Sequence, residues 1–329
     1  MNFRTLVLLI ATLLAPAALC AEPAPIGADI FARADQVMNI RTGDTVPFKI
    51  TIRFQVLNMA PQPVEGIFTR LYVSQEKWRS ETVFGPYQRI EWGGVNGYWR
   101  ERNTTAEPWA MRDIDRMIAY SYVLTQHKQI RWTGVKHTTT VDGKPVTAVE
   151  GLWGRVPWTY YFDDTTGVLV RLDFANGRGA YEWSDFQPFR SKLFPRTMKM
   201  FQAGKVIMLL HVDELVKLEN PDSLLLVHSA GAEQRPNCVG MKFPVLTDET
   251  PSFVPPGLRD VVRQGRIPVL TAMIGKDGRA HDTAISRTSG NDALDAAAME
   301  AVKGYKWQPA MCGNDPVEIE IEFCPKMVF

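Results

Sequence analysis

The chain has 329 residues, of which 45% are hydrophobic and 22% are charged. This length favours two domains over one, because a domain typically holds about 100 to 200 residues. The 37 basic and 36 acidic side chains leave a formal net charge of +1 at pH 7. Such a balance argues against long-range steering towards nucleic acid or an acidic membrane surface, so we predict no nucleic-acid partner.

The first 20 residues have the pattern of a secretory signal. Arg4 precedes an apolar run over residues 6–19, and small residues lie around the junction between Cys20 and Ala21. We expect cleavage before Ala21 and a periplasmic protein. The run is short for a membrane span, which needs about 20 apolar residues, so a retained membrane anchor is one alternative. A lipid attached to Cys20 is another.

Strand patterns dominate residues 21–225, which we predict to be the first domain. A helix over residues 26–43 opens it, and a second helix is predicted over residues 111–126. Strands are predicted at residues 48–56, 66–73, 77–84, 89–100, 146–152, 158–162, 168–174, 180–186, 196–202 and 206–218. Antiparallel strands at such regular spacing predict an α+β protein with a curved sheet, or half-barrel, covered by helices.

Three strings in residues 160–218 carry a family resemblance: YYFDDTTGVLVRLDF, YEWSDFQPF and FPRTMKMFQAGKVIMLLHVDEL. They resemble the periplasmic lipoprotein-carrier fold, the LolA/LppX-like half-barrel. The resemblance implies a curved antiparallel sheet that is lined by apolar side chains, closed by helices, and able to hold acyl chains. Families that share this fold differ in ligand, so the fold alone does not establish the function.

Aromatic side chains are concentrated in this first domain, which holds eight of the nine Trp residues. Apolar pockets with few polar groups suit lipid-like ligands. Ordinary packing within the sheet is the alternative explanation of the same residues. For an apolar or lipid-like ligand, the predicted lining residues are Trp92, Trp99, Trp158, Tyr160, Met208 and Leu210.

The last 73 residues, 257–329, read as a second, smaller domain. Residues 267–274 and 279–286 predict a β-hairpin, and apolar residues at helical spacing follow between Ser289 and Gly304. Residues 317–323 then alternate, which places three isoleucine and phenylalanine side chains on one face and three glutamates on the other. We expect the first face to be buried and the glutamate face to be solvated.

The string DGRAHDTAISRTSGNDALDAAAMEAVKGYKWQPA, with the strand after it, resembles the C-terminal domain of TonB-type energy transducers. The resemblance spans residues 251–329 and implies a β-β-α-β module that adds a partner's extended peptide to its last strand. The family's usual Tyr-Pro is replaced here by Phe253-Val254-Pro255-Pro256. The residues to which the resemblance assigns partner binding are Val317, Ile319, Ile321 and Phe323.

Residues 226–256 are rich in proline and are predicted to be a linker between the two domains. Three cysteines follow the signal segment: Cys238, Cys312 and Cys324. An exported protein enters an oxidising space, so a disulfide is expected. A bridge between Cys312 and Cys324 would have to span the last hairpin, so a bridge from Cys238 to either of them is at least as favoured.

Motifs for catalysis are weak throughout the chain. There is no P-loop or dinucleotide-binding glycine motif, and no cysteine pair or cysteine–histidine spacing typical of a metal site, so no cofactor or metal is predicted. His211 and Asp213 share a strand face, which keeps a hydrolase as a competing interpretation. We predict a non-enzymatic binding or adaptor protein of the cell envelope. A TonB-type energy transducer that retains its N-terminal anchor is the main competitor, and a purely structural envelope protein is a third.

Overall fold

The computed structural model describes residues 28–328, apart from residues 58–61, 96, 105–106, 119–129, 154–155, 175–176, 178, 222–223, 237, 239–240, 249–251, 255–256 and 264–266. The predicted signal segment, with Cys20 and the expected cleavage site, lies outside these residues. None of the helices in the described part is long and apolar enough to cross a membrane.

Thirteen antiparallel strands form one large curved sheet in the order β13-β5-β4-β3-β2-β1-β12-β11-β10-β9-β8-β7-β6. Most neighbours in this order are consecutive hairpin strands, and the pairing of β1 with β12 joins the two halves of the sheet. The strands are β1 (Phe48–Val56), β2 (Val64–Ser74), β3 (Lys77–Phe84), β4 (Tyr87–Gly94), β5 (Gly97–Arg102), β6 (Arg131–Val141), β7 (Lys144–Trp153), β8 (Val156–Asp163), β9 (Leu169–Phe174), β10 (Gly179–Phe189), β11 (Lys192–Gln202), β12 (Lys205–Lys217) and β13 (Glu233–Pro236).

Two helices, α1 (Ala28–Met38) and α2 (Trp109–Ile118), cover one face of this sheet, here called the inner face. In β1 every second residue from Phe48 to Val56 is buried, because the pleat turns alternate side chains towards the helices. The ring of Phe31 on α1 lies 5.0 Å from that of Tyr160 on β8. The inner face therefore holds the main apolar core.

Several elements differ from the prediction. Residues 89–100 were expected to be one strand, but they belong to the hairpin of β4 and β5, because the chain reverses between Gly94 and its partner Gly97. Strand β6 was not predicted at all. The second helix ends at Ile118, and the rest of its predicted span lies outside the described residues. The predicted fold class, a curved antiparallel sheet with covering helices and a small C-terminal module, is confirmed.

The C-terminal module is a three-stranded sheet in the order β17-β16-β21 packed on a helix. Its last predicted strand, residues 317–323, is divided in two, and a short further strand follows near the chain end. The elements are β14 (Val245–Asp248), β15 (Ser252–Phe253), α3 (Arg259–Arg263), β16 (Val269–Ile274), β17 (Ala280–Arg287), α4 (Asp292–Val302), β18 (Lys306–Gln308), β19 (Ala310–Cys312), β20 (Asp315–Val317), β21 (Ile319–Phe323) and β22 (Met327–Val328).

Local contacts explain two motifs of the C-terminal module. Gly278 has a φ of +74°, and a Cβ at this position would lie 1.9 Å from the carbonyl oxygen of Trp307, so only glycine fits the turn. The Asn291 side chain accepts a hydrogen bond of 3.1 Å from the Leu294 amide and caps α4. Asp295 accepts the Ser289 amide at 2.9 Å and fixes the loop before the helix.

Residues 226–256 connect the two parts through strand pairing rather than as an isolated tether. β13 pairs with β5 of the large sheet, β14 pairs with β18, and β15 pairs in parallel with β22. A disulfide joins Cys238 to Cys312, with 5.6 Å between the Cα atoms, and Cys324 is a free, exposed thiol. Of the bridges left open by the sequence, the one from Cys238 to Cys312 is the one formed.

A cavity-creating substitution on β12 tests the assignment of the inner face. Leu210 is fully buried, whereas its neighbour Leu209 lies on the opposite face and is partly exposed. We expect Leu210→Ala to lower the free energy of unfolding by about 2–5 kcal/mol. Leu209→Ala should cost about 1 kcal/mol or less. Urea denaturation followed by tryptophan fluorescence would measure both, and equal losses would contradict the assignment.

Candidate functional site

The outer edge of β21 is the candidate site. β21 pairs with β16 along one side, from Ile319 opposite Ile274 to Phe323 opposite Leu270. Within the described residues, no strand pairs with its other side. An edge strand of this kind presents unpaired backbone N–H and C=O groups that another strand can use. Val317 lies outside this edge, because it belongs to β20 and pairs with Ala310.

A cleft of about 480 Å³ runs beside β21. Its size falls within the range of about 300–1,000 Å³ that is usual for ligand pockets. One wall is formed by residues 318–322, and the opposite walls by inner-face residues of the large sheet and by the segment before β14. Phe243, in that segment, is 69% exposed. The lining residues therefore include a large apolar side chain that is available for contact.

The two faces of β21 have different partners. Ile319, Ile321 and Phe323 alternate with the glutamates, and the Phe323 ring lies 5.3 Å from that of Trp307 in the module core. The glutamate row was expected to be solvated, and this was wrong for Glu320, whose side chain is 14% exposed, whereas that of Glu318 is 43% exposed. Glu320 accepts hydrogen bonds of 3.0 Å from Arg102 and 3.3 Å from Arg100 of β5. The glutamate face is turned towards the large sheet.

The other two glutamates of the row are also bonded, but within the module. Glu318 lies 3.1 Å from Nε2 of His281 on β17, and Glu322 accepts a hydrogen bond of 2.8 Å from the Ser286 hydroxyl. Burial lowers the pKa of His281, but Asp282 and Glu318 raise it above the usual value. The carboxylates of the row are thus held in place before any partner arrives.

A buried ionic cluster anchors β21 to the large sheet. Arg89 on β4 is only 2% exposed, and it donates to both carboxylate oxygens of Asp115 on α2 at 2.8 Å and also pairs with Glu107. Arg100 pairs with Glu91 at 2.9 Å and continues to Glu320. Because a buried charge is costly unless it is paired, these contacts determine how the module sits on the sheet.

The pKa values of the carboxylates in this cluster are shifted, because charged groups lie close together in a buried place. Burial raises the pKa of Glu91, but Arg89 and Arg100 outweigh it and bring that pKa down to about 2. Glu107 has a lowered pKa for the same reasons. For Asp115 the balance is the reverse, because burial raises its pKa more than Arg89 lowers it. Glu91 and Glu107, at the centre of the cluster, stay ionised over the whole physiological range of pH.

Four of the six predicted lining residues lie on the inner face. Tyr160, Met208 and Leu210 have no solvent-accessible surface, and Trp158 packs against the same core. They belong to one apolar core, but β12 and β8 are separated by three strands, and Phe31 of α1 packs directly on Tyr160. An apolar ligand at these positions would therefore have to displace part of this packing.

Trp92 and Trp99 lie elsewhere. They are direct partners across β4 and β5, and the pleat places them on the opposite side from Glu91 and Arg100. His228, in the segment after β12, stacks on Trp99 with 4.4 Å between ring centroids. Trp99 thus faces the connecting segment, and both residues lie outside the apolar core under the helices.

A catalytic role for His211 finds little geometric support. Asp213 accepts hydrogen bonds of 2.6 Å and 2.9 Å from Arg53, which occupy the carboxylate that would have oriented His211. His211 lines a depression on the outer face with Gly66 and Ile67. In the part of the chain that the structure describes, no cluster of His, Cys, Asp or Glu could hold a metal ion.

Residues 258–324, a fifth of the chain, match the family model of the Gram-negative bacterial TonB protein C-terminal. The match confirms the resemblance seen in the DGR, SGN and WQPA motifs of the sequence. The comparison with curated proteins returned no match.

Three solved structures are similar to about three fifths of the chain. A putative outer membrane lipoprotein-sorting protein domain from Vibrio parahaemolyticus is 12% identical, with a TM-score of 0.41, over 61% of this chain and 98% of that one. A LolA superfamily protein from Nitrosomonas europaea is 11% identical, with a TM-score of 0.39, over 60% and 96%. A DUF1329 family protein from Desulfovibrio piger is 12% identical, with a TM-score of 0.43, over 62% and 97%. At these values, nothing about a ligand follows.

The ionic cluster was missed from the sequence. Its members are spread from Arg89 to Glu320, and no local spacing connects them. The signal that the sequence offered was charge at alternate positions of a predicted strand, Arg89 and Glu91. Arg100 joins them on the inner face only because the β4–β5 hairpin pairs it with Glu91. Charged residues at positions where a core is expected indicate either an interface between parts of the protein or a binding site.

Reversing the charge of Glu320 tests the anchor. In Glu320→Lys, a lysine would face Arg100 and Arg102, and loss of one partner of a buried pair costs about 3–5 kcal/mol. We expect faster amide hydrogen exchange across β21 and a larger radius of gyration. Glu300→Lys, on the exposed surface of α4, is the control. Adding Arg102→Glu to Glu320→Lys should restore part of the lost protection of β21 from exchange. If Glu320→Lys and Glu300→Lys exchange identically, Glu320 does not anchor β21 to the large sheet.

Acid titration tests the charge state of Glu91. Because its folded pKa of about 2 lies below the ordinary 4.5, its ionised form stabilises the fold above about pH 4.5, and this contribution is lost as the pH falls from 4.5 towards 2. We expect Glu91→Gln to be less stable at pH 7 and to lose less further stability over that window. Glu76→Gln, at an exposed turn, should titrate like the wild type. An unchanged acid slope in Glu91→Gln, measured by thermal unfolding, would refute the assignment.

Proposed function

We propose that the protein is an exported, non-enzymatic binding or adaptor protein of the cell envelope, and that it takes up an extended peptide along β21. The observation that carries this proposal is the outer edge of β21, which no strand of the described residues pairs with and which lies beside an open cleft. The match of residues 258–324 to the TonB C-terminal model adds support, because it assigns the module to a class of envelope domains.

Strand addition needs two features, and both are found at β21. Main-chain N–H and C=O groups supply affinity, and alternate side chains supply selectivity. A guest strand would place every second side chain beside Ile319 and Ile321, and the others beside the row that contains Glu318 and Glu322. We expect a partner segment in which apolar residues alternate with polar or basic ones, because opposite charges on directly neighbouring strands are favourable.

The location of the protein decides between this proposal and an energy transducer. We propose a periplasmic protein that begins at Ala21 after removal of its signal segment. A transducer requires a retained anchor in the inner membrane. Sequencing of the mature N-terminus separates the two, because a start at Ala21 supports the adaptor and an intact N-terminal segment supports the transducer.

An apolar or lipid-like ligand under α1 and α2 is the second proposed function. The apolar region of the inner face favours it, with large side chains such as Tyr160 and Phe162 beneath α1. Because these side chains are already packed, binding would require α1 to move outward. Native mass spectrometry of protein purified from envelopes would detect such a ligand, and consistently empty protein would count against this second function.

A proline scan of β21 tests strand addition. Successive residues direct their N–H groups to opposite sides, so proline at Ile319, Glu320 and Ile321 in turn samples both edges. Variants with the outward N–H removed should keep the fold, judged by circular dichroism, and lose most partner binding. Binding is read by photocrosslinking from a reactive residue at Phe243, which lines the cleft.

Strand β17 provides the matched control, because it forms the opposite edge of the same sheet. Proline at outward positions between Ala280 and Arg287 should leave the crosslinked partner unchanged. If folded β21 variants crosslink the same partner to the same extent as the wild type, binding does not occur by strand addition.

A further inference from the structure

Arg41 and Arg70 lie close together at one place on the inner face of the large sheet. Arg70 is on β2, where Ile50 of β1 and Ser80 of β3 are its direct neighbours. Arg41 follows α1, and its Cζ lies 5.9 Å from the centre of the Tyr72 ring. Tyr72 is two residues from Arg70 on the same face of β2, about 7 Å along the strand. The two guanidinium groups are therefore neighbours.

Neither guanidinium has a carboxylate partner in the described residues. The Arg70 Cζ lies 5.1 Å from the ring centres of both Phe68 and Trp78, and its Nε is enclosed without a hydrogen-bond partner among those residues. Both side chains nevertheless keep some solvent-accessible surface. Aromatic faces stabilise a cation, but they leave its N–H donors unpaired.

The nearest acidic groups are already engaged. Asp115 accepts two hydrogen bonds from Arg89, and Glu91 pairs with Arg100. Within the described part of the inner-face cluster, Arg41, Arg70, Arg89, Arg100 and Arg102 lie near four carboxylates, Glu91, Glu107, Asp115 and Glu320. The set has one arginine more than it has carboxylates, and Arg41 and Arg70 are the two members that form no ion pair within it.

Burial acts on both groups in the same direction. It lowers the pKa of Arg41, and together with the charge of Arg41 it lowers the pKa of Arg70 to about 10. At neutral pH both stay charged. A partly buried charge without a partner raises the free energy of the folded protein, so an anion bound between the two arginines would lower it.

We infer that Arg41 and Arg70 form a binding site for an oxyanion, either a phosphate or a carboxylate group. Two guanidinium forks match the oxygens of such groups and bind them through charge-assisted hydrogen bonds. The aromatic rings of Phe68, Tyr72 and Trp78 exclude water from one side of the site. The same chemistry suits a free anion and the head group of an anionic amphiphile whose apolar part lies against these rings.

The site is separate from the β21 edge and does not depend on peptide binding there. If the anion site were disproved, the proposal of strand addition at β21 would be unaffected, because Arg41 and Arg70 do not line the cleft beside β21 as the structure describes it. Variants of the two arginines should therefore still crosslink the partner of β21.

Calorimetric titration of the mature protein with inorganic phosphate, octyl phosphate and octanol tests the inference. We expect binding of one or both phosphates, and Arg70→Gln or Arg41→Gln should weaken it by about tenfold or more, since one charge-assisted bond is lost. Arg53→Gln removes the same charge from the outer face, where Arg53 pairs with Asp213, and should bind as the wild type does. Similar affinities for the two phosphates identify a free anion, and tighter binding of octyl phosphate identifies an amphiphile.

Thermal unfolding distinguishes a binding role from a structural one. Because Arg70 has no ion-pair partner to lose among the described residues, Arg70→Gln should be at least as stable as the wild type in buffer free of phosphate and carboxylate anions. It should also lose the stabilisation that phosphate or octyl phosphate gives the wild type. If wild-type protein binds neither phosphate, or if the Arg70 and Arg41 variants bind them equally well, the inference is overturned.

Discussion

The arrangement of the molecule depends on neutralising charge on the inner face of the large sheet. At one end, this face carries Arg89, Glu91 and Arg100 instead of apolar residues, and they are covered by α2 and by the C-terminal module. Covering such groups is tolerable only if each finds a partner. Glu320 supplies one from the opposite end of the chain, so the module's orientation follows from charge pairing as much as from apolar contact.

This orientation has a consequence for β21. Glu320 on one face of the strand is turned to the large sheet and Phe323 on the other face packs in the module core, while the strand's outer edge stays open along the cleft. The connecting segment strengthens the arrangement, because β13 extends the large sheet and the disulfide from Cys238 reaches Cys312 in the module. A guest peptide would therefore meet an edge that is held in place, which reduces the entropy lost on binding.

The inner face divides into regions of different chemistry. Around Tyr160 and Leu210 it is apolar and closely packed beneath α1. Around Arg89 it is charged and paired. Between the two, Arg41 and Arg70 are charged, lie among aromatic rings and have no carboxylate partner in the described residues. A molecule with an anionic head and an apolar tail would match this sequence of regions, whereas a purely apolar ligand would leave the arginine pair unchanged.

Much of this fold could be predicted from local pattern. Alternation in residues 48–56 identified a strand buried on one face, and the glycine of the DGR turn and the asparagine before α4 have the roles that their residue types imply. Two features were not readable: alternation continues through the glycines near Gly94, which hides the turn between β4 and β5, and the faces of Trp92 and Trp99 depend on a register set after that turn.

The sequence by itself determined the kind of sheet and most of its strands, the amphipathic helices and the C-terminal module, because periodicity and turn chemistry act over a few residues. Only the tertiary structure decided which cysteine pairs with Cys238, which arginines hold Glu320, and which arginines of the described residues are left without a carboxylate. Those outcomes depend on distances between residues far apart in the chain, and such distances exist only once the strands have paired in register.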